Sequence, residues 1–140
     1  MLLRRLAPPL FLLTLCLVDA GCESKRRTYP VQGKVTLPDG KPLVGALVEF
    51  ESQEEGTKGI NARGEVGEDG IYHLKTGTDD GAVEGAHRVI VVPPQYAPGN
   101  MSGPGPKEVL NRRFSSYESS GLRFTVKPEP NRFDIPVEGP

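Results

Sequence analysis

The chain has 140 residues, with 17 Lys and Arg against 18 Asp and Glu and a formal net charge of −1. That length suits one domain and not two comfortable ones, and the balanced charge excludes the basic surface that nucleic-acid binding needs. The only two cysteines are Cys16 and Cys22, so the chain beyond residue 22 has no thiol nucleophile, thiolate metal ligand or disulfide.

The first predicted element is a leader. Arg4 and Arg5 open it, an apolar run covers 10–18, and Asp19-Ala20-Gly21 precedes Cys22. A positive start, a short apolar stretch and small residues before the cut describe a secretory signal peptide over residues 1–21. A membrane span needs about 20 apolar residues, and Pro8, Pro9 and Asp19 confine this run to far fewer. Cys22 directly after Ala20-Gly21 resembles a bacterial lipobox, which implies that Cys22 is acylated and becomes the first mature residue. The third residue before the cysteine is Asp19, where that pattern carries a leucine-like residue. Simple cleavage near Ala20 or Gly21, releasing a secreted soluble domain, is the alternative. Removing the leader leaves a domain-sized chain of about 120 residues. Residues 22–29 follow as a flexible tether with Lys25, Arg26 and Arg27, read as solvated or as lying beside anionic headgroups.

From Val31 onward, period-two alternation between turn signals predicts half-buried strands. Val31, Gly33, Val35 and Leu37 share one face, and Asp39-Gly40 makes the following turn. Ala46, Val48 and Phe50 face inward in the next strand, with Leu47, Glu49 and Glu51 outward. Residues 58–66 form a weaker strand, expected at a sheet edge, and 71–75 another. Val89 and Val91 carry the inward side of 85–92. Two late strands place Leu122, Phe124 and Val126, then Phe133, Ile135 and Val137, in the core. No stretch has a helical stripe. About seven short strands predict an all-β sandwich over residues 30–138.

Residues 93–120 interrupt the pattern. Pro93, Pro94, Pro98, Pro104 and Pro106 alternate with Gly99, Gly103 and Gly105, which excludes a central strand. Loops of this length are functional or disordered more often than not. The half from 97 to 106 is expected to be mobile. The half from Val109 should dock through Val109, Leu110, Phe114 and Tyr117, with Phe114→Ala costing clearly less than Phe124→Ala.

Val31-x-Gly33-Lys34-Val35-Thr36, Asp39-Gly40-Lys41-Pro42-Leu43, Gly45-Ala46-x-Val48-x-Phe50, Asp69-Gly70-x-Tyr72-x-Leu74-x-Thr76, Gly81-Ala82-x-x-Gly85-x-His87-x-Val89 and Ser120-Gly121-Leu122-x-Phe124-x-Val126 occur in order. This series resembles bacterial lipoproteins with a carboxypeptidase regulatory-like domain. The resemblance implies a seven-stranded transthyretin-like (prealbumin-like) β-sandwich after a cleaved signal peptide, and little about activity, because fold does not confer function. One enzymatic branch of such sandwiches, the hydroxyisourate hydrolases, uses histidines, an arginine and a C-terminal Tyr-Arg-Gly-Ser. This chain ends Val137-Glu138-Gly139-Pro140 and has only His73 and His87.

Chemical candidates are few. His73 is expected to be exposed and His87 packed among Val89 and Val91. Asp79-Asp80-Gly81 with Asp69 suggests calcium ligands, but the spacing of a calcium loop is missing and turn chemistry explains Asp-Gly pairs. Asn100-Met101-Ser102 matches a glycosylation sequon, and the nearby serine does not sit in a nucleophile elbow. Arg112, Arg113, Phe114 and Tyr117 have the composition of a contact patch, with a docked loop carrying solvated arginines as the plainer reading. Together these readings predict no catalytic residues, metal or cofactor. They predict lipidation at Cys22, a membrane-anchored or secreted envelope location, and a non-catalytic binding or structural module. The alternative is a protein- or glycan-binding accessory domain for a separate envelope enzyme.

Overall fold

The computed structural model describes residues 25–94 and 108–140; the leader, Cys22, the start of the tether and the 97–106 segment lie outside the described residues. The strands are β1 (Thr28–Tyr29), β2 (Val31–Thr36), β3 (Leu47–Ser52), β4 (Asn61–Glu65), β5 (Ile71–His73), β6 (Lys75–Thr76), β7 (Asp79–Asp80), β8 (Ala82–Val83), β9 (Gly85–Val92), β10 (Leu122–Val126), β11 (Asn131–Arg132) and β12 (Ile135–Pro136). The only helical element among the described residues is a 3-10 turn at Arg112–Ser115. The domain is all-β, as predicted.

One sheet runs β10-β9-β3-β4-β6-β7 and is antiparallel throughout. The second is built around β2, which pairs antiparallel with β5 and parallel with β11 and β12. The short pair β1–β8 closes one flank. Alternation on β2 buries Val31, Gly33 and Val35 and exposes Gln32 and Lys34. Those inward residues meet Val48, Phe50, Val89 and Val91 from the opposite sheet in one core. Phe50 packs edge-on against Phe124 and Phe133, whose rings stack on each other at 4.7 Å.

Gly33 is required where the link between β11 and β12 crosses β2. A Cβ there would collide with the Phe133 carbonyl, which accepts a 2.5 Å hydrogen bond from the Tyr72 hydroxyl. Burial pushes the Tyr72 phenol well above its ordinary pKa, with Asp134 adding to the effect, so Tyr72 is a permanent donor at neutral pH.

Several boundaries differ from the sequence expectations. β4 is an interior strand between β3 and β6, not an edge. Its inward residues are Ala62 and Gly64, too small to give a strong apolar signal. Gly64 allows the His73 backbone to come close, leaving no room for a Cβ. The expected strand over 71–75 splits at buried Leu74: β5 belongs to one sheet and β6 to the other. The last strand is likewise two short ones, separated by Phe133–Asp134, where the Asp134 carboxylate accepts the Lys34 amide at 2.9 Å. Thr28 and Tyr29, expected in the tether, form β1. The Phe114 and Phe124 ranking is reversed: Phe114 is 1% exposed, whereas Phe124 is half-buried.

Candidate functional site

The segment from Glu108 to Gly121 contributes most of the polar architecture beyond the sheets. Asn111 caps the 3-10 turn by accepting from the Arg113 amide at 3.1 Å, and its own amide donates to the Glu138 carbonyl at 3.0 Å. This fixes Leu110 and Phe114 into the core. The Arg113 guanidinium lies 4.2 Å over the Phe114 ring, donates to the Ser120 carbonyl and pairs with Glu138 at 3.4 Å. Buried Ser120 donates from its hydroxyl to the Val89 carbonyl at 2.6 Å. These are positioning interactions that hold the segment against β9.

The four residues of the predicted contact patch are therefore not brought to one surface. Phe114 is a core residue and Arg113 is its lid. Arg112 projects into solvent and pairs with Glu108 four residues earlier in the chain. Tyr117 turns instead onto the outer face of the larger sheet, where it joins a cluster that sequence reasoning did not assemble.

That cluster is built by strand register. Glu49 stands opposite Arg63 on β4, and Glu51 stands opposite Arg88 on β9. Glu49 is only 8% exposed although it points away from the core, because Tyr117 covers it. One Glu49 oxygen accepts from the Tyr117 hydroxyl at 2.5 Å and from Asn61 Nδ2 at 3.3 Å; the other pairs with Arg63 Nε. The Arg88 guanidinium binds Glu51 at 2.6 Å and lies 5.0 Å from the centre of the Tyr117 ring. Burial, then the Glu49 hydrogen bond, push the Tyr117 phenol far up, so it donates and does not ionise. A buried carboxylate is tolerable only when its oxygens are matched by donors, and here both are. Period-two alternation did place Glu49 and Glu51 on outward positions. The cross-strand register and the return of Tyr117 were not readable from it.

Several other titratable groups also serve the scaffold. His87 is buried beside Phe50 at 5.8 Å between ring centres, with Nδ1 at 2.8 Å from the Gly85 carbonyl. Burial lowers its pKa, against a smaller opposing effect of that carbonyl. His73 is exposed on β5. Asp69 accepts the Ile71 amide at 2.9 Å in the turn between β4 and β5. Asp79 and Asp80 pair with Lys25 and Lys75 at the other end of the strands, so the three aspartates do not converge. No group of three or more His, Cys, Asp or Glu is placed to hold a metal among the described residues.

Two shallow grooves flank the β6–β7 hairpin. One is lined by Lys25, Arg26, Thr28, Ile60, Thr76, Asp79 and Val83. The other is lined by Asn61, Arg63, Lys75 and Gly77. Neither contains a nucleophile paired with a base. Compared with family models, curated proteins and solved structures, the chain matches none.

Proposed function

We propose that this chain is a lipid-anchored component of a bacterial cell envelope, attached through Cys22, and that its β-sandwich is a non-catalytic binding or structural module. The observation that carries the reading is the Ala20-Gly21-Cys22 junction after a short apolar leader, six residues before the first strand at Thr28. It also draws support from the use of the domain's polar groups. Glu49, Tyr72, His87, Tyr117 and Ser120 are each engaged in bonds that hold the scaffold together. An active site keeps at least one activated group facing a cavity. The ordered series of motifs from Val31 to Val126 supports a carboxypeptidase regulatory-like domain of transthyretin-like type, and that assignment rests on those motifs.

Capture from detergent-solubilised envelope tests the binding role. The full acylated chain should retain a defined protein or glycan partner, and the retention should survive Tyr117→Phe, which perturbs only the scaffold. Turnover of an ester, amide or glycoside substrate by the purified chain, lost on a point substitution that leaves the fold intact, would overturn the non-catalytic reading.

A further inference from the structure

We infer that the pole of the sandwich carrying the β6–β7 hairpin lies against phospholipid headgroups and that the opposite pole is held away from the bilayer. The inference rests on the Cys22 anchor proposed above and adds an orientation to it.

The strand directions define the two poles. β2, β4 and β9 start at the pole that contains Lys25, Thr28 and the Gly77-Thr78 hairpin tip. They end at the pole that contains the turns around Asp39-Gly40 and Glu68-Asp69, together with the 3-10 turn and the C-terminus. Six residues of β2 at about 3.3 Å each separate the poles by roughly 20 Å.

The anchor can serve only one of them. Thr28, the first residue held by strand pairing, follows Cys22 by six residues, a reach of no more than about 22 Å even when fully extended. From Thr28 onward the chain is fastened to the domain. Lys25 Nζ pairs with Asp79 at 2.9 Å, Thr28 Oγ1 donates to the Asp80 carbonyl at 2.7 Å, and β1 pairs with β8. Gly81 secures this closure, since a Cβ there would collide with the Tyr29 carbonyl. An acylated Cys22 therefore keeps the hairpin pole nearest the membrane surface, because turning the domain over would stretch the leash to nearly its full length along the roughly 20 Å between the poles.

The surface presented there has the chemistry of a zwitterionic headgroup layer. The two grooves beside the hairpin carry Lys25 and Arg26 on one side and Arg63 and Lys75 on the other, with the Thr28 and Thr76 side chains and the Asn61 amide between them. Asn61 Oδ1 is a buried acceptor with no partner among the described residues. The same pole has Asp79 and Asp80, each in an exposed ion pair, Glu54 accepting the Ala86 amide, and exposed Glu55 and Glu84. Exposed pairs of this kind are worth about 0–1 kcal/mol, so lipid phosphates can replace the carboxylates on Lys25 and Lys75. The released carboxylates then face the ammonium groups of phosphatidylethanolamine.

The mature chain has no cysteine beyond residue 22, so single reporters can be introduced at Thr78 on the hairpin tip and at Glu68 on the opposite turn, both exposed. Thr78→Cys and Glu68→Cys are labelled with a fluorophore in the acylated full chain and reconstituted into phosphatidylethanolamine vesicles containing a headgroup nitroxide quencher. The Thr78 probe should be strongly quenched and the Glu68 probe should keep its emission. An acylated chain in which the two probes are quenched equally, or in which Glu68 is quenched more, overturns the orientation alone. A chain that takes up no acyl group and stays out of the vesicles overturns the anchor and the orientation with it.

Discussion

Truncating Phe114 to alanine tests whether the 108–121 segment is part of the core. Phe114 is 1% exposed, lies beneath the Arg113 guanidinium and is fixed by the Asn111 cap. Removing a fully buried phenyl ring costs about 3–5 kcal/mol, combining lost transfer energy with the cavity left behind. Phe124 is only half-buried, so its transfer contribution is roughly half as large, and loss of its stack on Phe133 adds about 0.5–1.5 kcal/mol. Phe124→Ala should therefore cost roughly 2–4 kcal/mol, with a midpoint below that of Phe114→Ala. A domain of this size is stable by about 5–15 kcal/mol in total, so both losses are measurable. Urea unfolding followed by circular dichroism suits a chain that has no tryptophan. If Phe124→Ala is as damaging as Phe114→Ala, or more so, the segment is not an integral part of the core.

Tyr117→Phe removes a hydrogen bond to the buried Glu49 carboxylate and should cost about 1.5–3 kcal/mol; a double-mutant cycle with Glu49→Gln should give a clear coupling energy, and additivity of the two would show that they do not interact. Gly33→Ala should destabilise by more than about 1 kcal/mol, because the Phe133 carbonyl occupies the Cβ position and backbone must move; an unchanged melting temperature would mean that the link between β11 and β12 shifts freely there. His87 makes stability pH-dependent. Its native pKa is lowered, chiefly by burial, so below the unfolded value of about 6.5 the unfolded chain binds the extra proton first. Stability from this group is therefore complete above that pH and declines as pH falls towards the lowered native pKa. His87→Phe should flatten that part of the profile, and an unchanged slope would assign it to other groups.

The strands that were legible in the sequence are those with large apolar residues at every second position, such as β2 with Val31 and Val35 and β10 with Leu122, Phe124 and Val126. β4 was misplaced to an edge because its core-facing residues are Ala62 and Gly64, which occupy tight inter-sheet space without adding hydrophobic signal. The break at Leu74 was hidden because alternation continues unchanged while the backbone pairs first with β2 and then with β4. Alternation reports which face a residue takes and nothing about its cross-strand neighbour. For that reason the Glu49–Arg63 and Glu51–Arg88 pairs, and the Tyr117 hydroxyl brought to Glu49 from 68 residues away, emerged only from the structure. The arginine-aromatic composition of residues 112–117 drew attention to the right segment. Its aromatic residues, however, are used internally, Phe114 in the core and Tyr117 over a carboxylate.

The mass of the N-terminal peptide from chain purified out of the membrane fraction tests the lipid anchor most directly. Cys22 is expected as the first residue, bearing acyl chains, with the Cys22→Ser chain persisting as unlipidated precursor. An unmodified peptide beginning at Gly21, Cys22 or Glu23, recovered from the soluble fraction, would contradict the anchor and leave a secreted domain in its place.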